Sequence, residues 1–524
     1  MYDIIIIGSG LGGLQCGYIL SKQGLNVCVL EKNAHPGGCI QCFRRGKHTF
    51  DTGFHYVGGL DPGQPLHRLF DYFGLLDLPW HRLDENGFDE IILNNESFRF
   101  VNGFDCFAET LSARFPHQRE NLKKYTGFLQ QVSEDIFNNL DRENEGTFDE
   151  TSLFAQSAYD YLSATIDDPL LRQVLSGASL KMELNPSTLP LYIFAQINSS
   201  YIQSAWRLKG GGSQIADTLI RQIEANGGTV YLNAEVTRLI EENGRIVAAE
   251  IISPLKEAGV IPPLKGAGGC RGCQRSHNFP LGRRQGDVEI RASHFIADIH
   301  PTLALDLITE SKLIRNIYRK RIHNLENTFG IFTVNIALKD NMIPYQNRNI
   351  YVYQSGDVWQ YATYKPVNVN TCALVSFQPP DAGSIYTSNI DILTHLYRQE
   401  VEKWEHTQTG RRGDDYIAFK NQKAEACIRL VTEHIPCLAK LKDAIERIYT
   451  STSLTYRDYT GTPYGSAYGI RKNYKQLLTT LLSPRTPIPN LFLTGQNLNL
   501  HGVLGVSITS FLSCSEITGQ KVTT

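Results

Sequence analysis

The apolar positions of the chain change rhythm in an ordered way. Tyr2-Asp3-Ile4-Ile5-Ile6-Ile7 is a short β-branched run without polar alternation, the pattern of a parallel strand covered on both faces. Leu14 to Lys22 carries apolar residues at helical spacing and stops at Gly24. Asn26 to Leu30 is a second apolar strand, and it ends in Glu31. Beyond residue 60, residues 66–76, 107–135 and 152–183 show helical spacing, with a polar, acidic stretch at 137–151 that reads as a solvated loop. Glu90 to Val101 alternates as strands, with Asn94-Asn95 as the turn. An amphipathic helix over 214–226 is closed by Gly227-Gly228, and strands follow at 229–232 and 234–240.

The middle of the chain is interrupted. Ile246 to Ile252 pairs naturally with Val288 to Arg291 as a hairpin, yet 253–286 lies between them, rich in Pro, Gly, Lys and Arg. Such a segment buries little apolar surface, so the expectation is an exposed, disordered insertion. His294 to Pro301 then reads as a strand and turn re-entering the first sheet. Over 305–445 the expectation is an antiparallel sheet with strands at 328–338, 350–353 and 372–377 and helices at 389–405 and 422–433. Tyr351, Tyr353, Trp359, Tyr361 and Tyr364 fall here; they could line an apolar tunnel, but core packing is the main reading for most of them. Pro489 to Gln496 is a strand ending in a glycine turn, followed by a helix over Ser507 to Ile517.

The punctuation of the first unit carries chemistry. Gly8, Gly10 and Gly13 fit G-x-G-x-x-G between a strand and a helix, and Glu31 ends the next strand. Gly8 allows the tight turn, Gly10 lets a pyrophosphate approach the backbone, and Gly13 lets the helix pack on the sheet. The helix N-terminus faces the phosphates, and Glu31 can accept bonds from ribose hydroxyls. Gly37 and Gly38 form a second pair of backbone-exposing residues, suited to a longer extended ligand. No second G-x-G-x-x-G occurs, so a redox partner for the bound dinucleotide would come from elsewhere.

Composition narrows the setting. A formal net charge of −2 leaves no electrostatic footprint for nucleic acid. No run of apolar residues is long enough to span a bilayer. The eleven cysteines are scattered, odd in number and without a secretion signal ahead of them, which reads as reduced thiols and a cytoplasmic protein. Cys270 and Cys273 have no second pair at zinc-site spacing, so no metal site is expected. Cys39 and Cys42 resemble a redox dithiol, but the chain lacks the separate nicotinamide domain such a pair would serve.

The stretch Phe50-Asp51-Thr52-Gly53-Phe54-His55-Tyr56-Val57-Gly58-Gly59 resembles the FAD-dependent family of phytoene desaturases, carotenoid isomerases and retinol saturases, closest to the saturase and isomerase branch. Thr455 to Gly469 and the segment from Leu493 to Val506 are similar to the same family. The resemblance implies FAD as cofactor. It also implies a backbone contact from Val236 to the adenine and a C-terminal flavin motif at Gly495 and Gln496, where the family often has an acid in place of the glutamine. The implied fold is α/β and amine-oxidase/phytoene-desaturase-like. It has a discontinuous Rossmann-type FAD-binding domain (1–75, 196–304 and 446–524) and an inserted α+β substrate domain (76–195 and 305–445). The implied activity is saturation, desaturation or cis–trans isomerisation of C=C bonds in an apolar polyene or isoprenoid substrate, by hydride transfer to or from flavin. The electron donor or acceptor stays open, and a lipid-soluble substrate is compatible with peripheral membrane contact. His55 and His501 are the leading proton-donor candidates, ahead of Tyr56 and Tyr464. The alternatives are an amine-oxidase-like flavoenzyme with a polar substrate, and a non-enzymatic lipid carrier similar to GDP dissociation inhibitors.

Overall fold

The computed structural model describes residues 1–140, 150–252, 288–366 and 369–524. The expected insertion at 253–286, with Cys270 and Cys273, and most of the acidic stretch at 137–151 lie outside the described residues. Strand β1 (Tyr2–Ile7) leads into helix α1 (Leu11–Lys22) and then strand β2 (Val27–Leu30). Among the described residues the first sheet has seven strands, with β1 between β2 and the strand Val288–Ala297. Both neighbours run parallel to β1, Ile5 facing Cys28 on one side and Phe295 on the other. Ile4 to Ile7 are therefore buried on both faces, as the unbroken isoleucine run requires.

The strand Val288–Ala297 changes partner halfway. Its first part pairs antiparallel with Arg245–Ile252, Ile251 facing Val288, as the hairpin reading expects. Its second part runs parallel to β1 and to Leu491–Leu493, which brings the C-terminal segment back beside the first turn of the chain.

A second sheet orders its strands as Ile445–Ser451, Gly330–Leu338, Asn389–Leu396, Cys372–Phe377, Asn349–Tyr353, Asp89–Leu93 and Glu96–Phe100. The last two form the expected hairpin, with Asn94 at φ 53° and Asn95 at φ 64°, left-handed values that asparagine tolerates in a two-residue turn. Two expectations change here. The strand Ile445–Ser451, assigned by sequence to the third cofactor segment, pairs instead with Gly330–Leu338 in the second sheet. The helix expected over 389–405 is largely a strand, Asn389–Leu396, with only a short helix at Arg398–Val401. Helices pack on both faces of this sheet: Arg119–Asn139 and Leu191–Gln203 on one, Asp414–His434 on the other. Every residue of Asn389–Leu396 is consequently buried. A strand buried on both sides has no alternation, and its periodicity does not separate it from a buried helix. Among the described residues no helix is long and apolar enough to cross a membrane.

Candidate active site

The glycine turn is built as its spacing predicts. Gly8 adopts φ 98°, and its N–H donates to the Leu30 carbonyl at 2.8 Å, tying the turn to β2. A Cβ on Gly13 would overlap the Gly8 carbonyl oxygen, so only glycine lets α1 start this close to β1. The second glycine pair packs on the first turn. The Gly37 N–H donates to the Ser9 carbonyl at 3.0 Å, and a Cβ on Gly38 would sit 3.3 Å from Gly10 Cα. Glu31 reaches back to the same turn, its Oε2 accepting from the Ser9 hydroxyl at 2.6 Å and the Ser9 N–H at 3.0 Å. Its Oε1 accepts from the Asn33 N–H at 2.8 Å.

The C-terminal helix closes the other side. It spans Gly502–Thr518, five residues earlier than its sequence pattern indicates. Gly505 lies in its first turn and packs against Leu500, where a Cβ would come within 2.6 Å of the Leu500 Cβ. Gln15 of α1 donates to the Ser507 hydroxyl at 2.7 Å, and the Ser510 hydroxyl donates back to Gln15 Oε1 at 3.2 Å. These bonds hold the N-termini of both helices at one cavity.

That cavity, of about 330 Å³, is lined at one end by Gly10, Gly37, Gly38, Gly495 and Gln496. His55 and His501 line it as well. Gly8, Gly13 and Glu31 stand behind its wall. Val236 is buried at the start of the strand Glu235–Glu242, away from the lining. The preceding Ala234 N–H donates to the Glu31 carbonyl at 2.8 Å, so the Val236 strand begins next to Glu31. Cys39 also lines the cavity, and Cys39 and Cys42 are both free thiols. Cys42 instead donates to Asp51 Oδ1 at 3.1 Å.

Away from the glycines the lining is apolar, with Ile197, Ile331, Leu374 and Leu393, all in one core cluster, in its wall. One corner is polar, and sequence alone did not mark its charged members. Lys181 Nζ lies 2.8 Å from Asp89 Oδ2, both side chains buried. The Tyr56 hydroxyl donates to the same Oδ2 at 2.8 Å and lies 2.7 Å from the Tyr351 hydroxyl. Asn349 Nδ2 donates to Asp89 Oδ1 at 2.9 Å. The Lys181 ammonium sits 3.7 Å from the centroid of the Tyr201 ring. Burial, then the Asp89 carboxylate, holds Tyr56 well above the usual phenol range, so it keeps its proton. Burial shifts Lys181 the other way, making it a stronger acid than a solvated lysine.

Both histidines are neutral. Burial pushes His501 down to about 4, and its Nε2 lies 3.3 Å from the Lys181 carbonyl, which assigns the ring proton to that nitrogen. Burial, reinforced by the Arg207 guanidinium, pushes His55 down to about 4. His55 Nδ1 is 3.8 Å from Asp391 Oδ2, and Arg207 Nε donates to the His55 carbonyl at 3.2 Å. Burial also raises Asp51 to about 6 and Asp391 to about 7. Arg207 and Asp391 arrive from two different strands, Ala205–Leu208 and Asn389–Leu396.

A glycine turn at a helix N-terminus, a second glycine pair and a C-terminal glycine turn, all on one cavity with an apolar far end, fit a flavin dinucleotide. That arrangement fits an oxidoreductase of the flavoprotein class. The comparisons agree. Residues 6–73 match the NAD(P)-binding Rossmann-like domain family. The chain is 26% identical to the all-trans-retinol 13,14-reductase of Danio rerio, over 98% of this chain and 85% of that one. It is 27% identical to a 4,4'-diapophytoene desaturase of Methylomonas sp, over 46% of this chain and 49% of that one. It is 26% identical to a chloroplastic prolycopene isomerase of an Oncidium hybrid cultivar, over 48% and 46%. The solved structure of putrescine oxidase shares the fold, with a TM-score of 0.60 at 14% identity and 99% of each chain covered. The chain is thus similar to retinol reductases over nearly its full length and to a phytoene-type desaturase and a prolycopene isomerase over about half of it, in line with the resemblance of the Phe50 to Gly59 stretch.

Proposed function

We propose that this protein is an FAD-dependent oxidoreductase that acts on a C=C bond of an apolar polyene or isoprenoid, with saturation as the leading direction. The observation that carries this reading is the single cavity joining a glycine-built dinucleotide end to an apolar end with one tyrosine–lysine corner. The near-full-length likeness to retinol 13,14-reductases supports the direction. FAD, when bound, supplies the hydride chemistry. The chain supplies the rest. Gly10, Gly37 and Gly38 let the dinucleotide approach the backbone, Glu31 and the Val236 backbone take its adenosine end, and Gly495 and Gln496 take the flavin end. Ile331, Leu374 and Leu393 exclude water from the polyene. Tyr56 holds a proton at its hydroxyl, and Lys181, through Asp89, is the reservoir that restores it. His55 and His501 line the cavity as neutral imidazoles, His501 hydrogen-bonded to the Lys181 carbonyl and His55 with both ring nitrogens open among the described residues.

The test is anaerobic. The purified protein is reduced with dithionite, polyenes are added, and the flavin and polyene spectra are followed together. Reoxidation with loss of a conjugated double bond establishes a saturase. A changed polyene spectrum with the flavin still reduced establishes an isomerase. A colourless protein overturns the enzyme reading in favour of a lipid carrier. An amine-oxidase-like role fits the apolar wall less well, and oxidation of amines but not polyenes would restore it.

A further inference from the structure

One carboxyl stands against the dinucleotide turn, and among the described residues no cation pairs with it. Asp298 follows the strand Val288–Ala297 and lines the cavity. A Cβ on Gly10 would come 2.5 Å from its Oδ2, and one on Gly12 or Gly495 would come 2.8 or 2.5 Å from its Oδ1. The glycines that open the turn to a diphosphate therefore also make room for this acid. Its backbone is fixed there by the Asp298 N–H, which donates to the Ile7 carbonyl at 2.9 Å. Its Oδ2 is buried and has no hydrogen-bond partner among the described residues. A carboxylate at this place would repel a diphosphate, whereas a carboxylic acid has a proton to give and an oxygen with nothing to bond.

We propose that Asp298 is a cofactor-binding residue that meets the diphosphate as the neutral acid and donates a hydrogen bond to a phosphate oxygen. This rests on the FAD reading above. Titration agrees with the geometry: burial raises the carboxyl to about 7, with the Gly13 N–H offsetting part of the rise and Glu31 adding to it. The titratable groups around it add no positive charge. Glu31 lies across Ser9, the Cys39 thiol is pushed up to about 11 by burial and by Asp298 itself, and His300 is pushed down to about 4, mainly by burial. The phosphate charge raises Asp298 further on binding, so binding takes up one proton from solvent wherever the free protein has lost it.

The sign follows. Below about pH 7 the acid is protonated in both states and affinity is level. Above that, affinity falls by about tenfold per pH unit until the bound form also loses its proton. The experiment measures FAD released from diluted holoprotein by fluorescence, from about pH 6 to about pH 9. The expected result is a falling affinity in the wild type and a level one in Asp298→Asn, which keeps the donor without the titration. Calorimetry of FAD binding to the stripped wild type, in two buffers of different ionisation enthalpy, should show close to one proton taken up per FAD above neutrality. A level wild-type profile without proton uptake overturns the assignment, and so does the same fall in Asp298→Asn. A protein that holds no flavin overturns the cofactor reading itself, a different and separable outcome.

Discussion

The buried pair Lys181–Asp89 is the most exposed point of this reading to measurement. Lys181→Met keeps the length and most of the volume of the side chain but removes the ammonium 2.8 Å from Asp89. Among the described residues the carboxylate then keeps the Tyr56 hydroxyl and Asn349 Nδ2 as donors, both neutral. Removing one partner of a buried ion pair costs about 3–5 kcal/mol, because the other charge stays buried. The lost contact between the ammonium and the Tyr201 ring adds up to about 2 kcal/mol. Met itself packs well among aromatic rings and gives part of this back, so the net expectation is about 3–5 kcal/mol. Urea unfolding followed by tryptophan fluorescence, with bound flavin recorded on the same samples, measures it. The double variant Lys181→Met, Asp89→Asn removes both charges and should recover most of the loss, since the penalty belongs to the orphaned charge. A single variant that costs under about 1 kcal/mol would show that the pair is solvated. A double variant as unstable as the summed singles would show that charge is not the cause.

Tyr56→Phe should lower turnover by about a hundredfold or more with little effect on flavin content, if its hydroxyl is the proton source; single-turnover reoxidation of the reduced enzyme with polyene checks this. Gly13→Ala forces a methyl onto the Gly8 carbonyl and should cost about 1–3 kcal/mol and the yellow colour, read from the visible spectrum. Gly127→Ala is the opposite case: Gly127 lies in the helix Arg119–Asn139 with open space at its Cβ, and the change should stabilise by about 0.5–1 kcal/mol in thermal unfolding. His501 sits at about 4 in the folded state, below its unfolded value, so its stabilising contribution is complete above about pH 6.5 and lost as pH falls toward 4. Relative to His501→Gln, the wild type should lose roughly 1.4 kcal/mol per pH unit across that window; paired denaturation curves at several pH values decide it.

The local features were legible in the chain. An isoleucine run, three glycines at fixed spacing and an acid at the end of the next strand define a turn that short-range geometry alone must build. Asn94-Asn95 between alternating residues, and the match of Ile246–Ile252 with Val288–Arg291 across a long interruption, are legible for the same reason. The helix expected at 389–405 failed because cover on both faces erased the alternation that marks a strand. With that strand went Asp391, which in sequence looks like any solvated acid. Asp89, Lys181 and Tyr56 come from three separate parts of the chain, and nothing near any of them signals the other two. Asp298 had only its place after a strand re-entering the first sheet. The sequence by itself therefore determined the dinucleotide turn, since backbone constraints within a few residues suffice for it, while the class of chemistry was implied by the family resemblance of the Phe50 to Gly59 stretch. Only the tertiary structure decided which acids and bases face one another in the cavity, because burial and proximity set their charge, and both arise from contacts between distant segments.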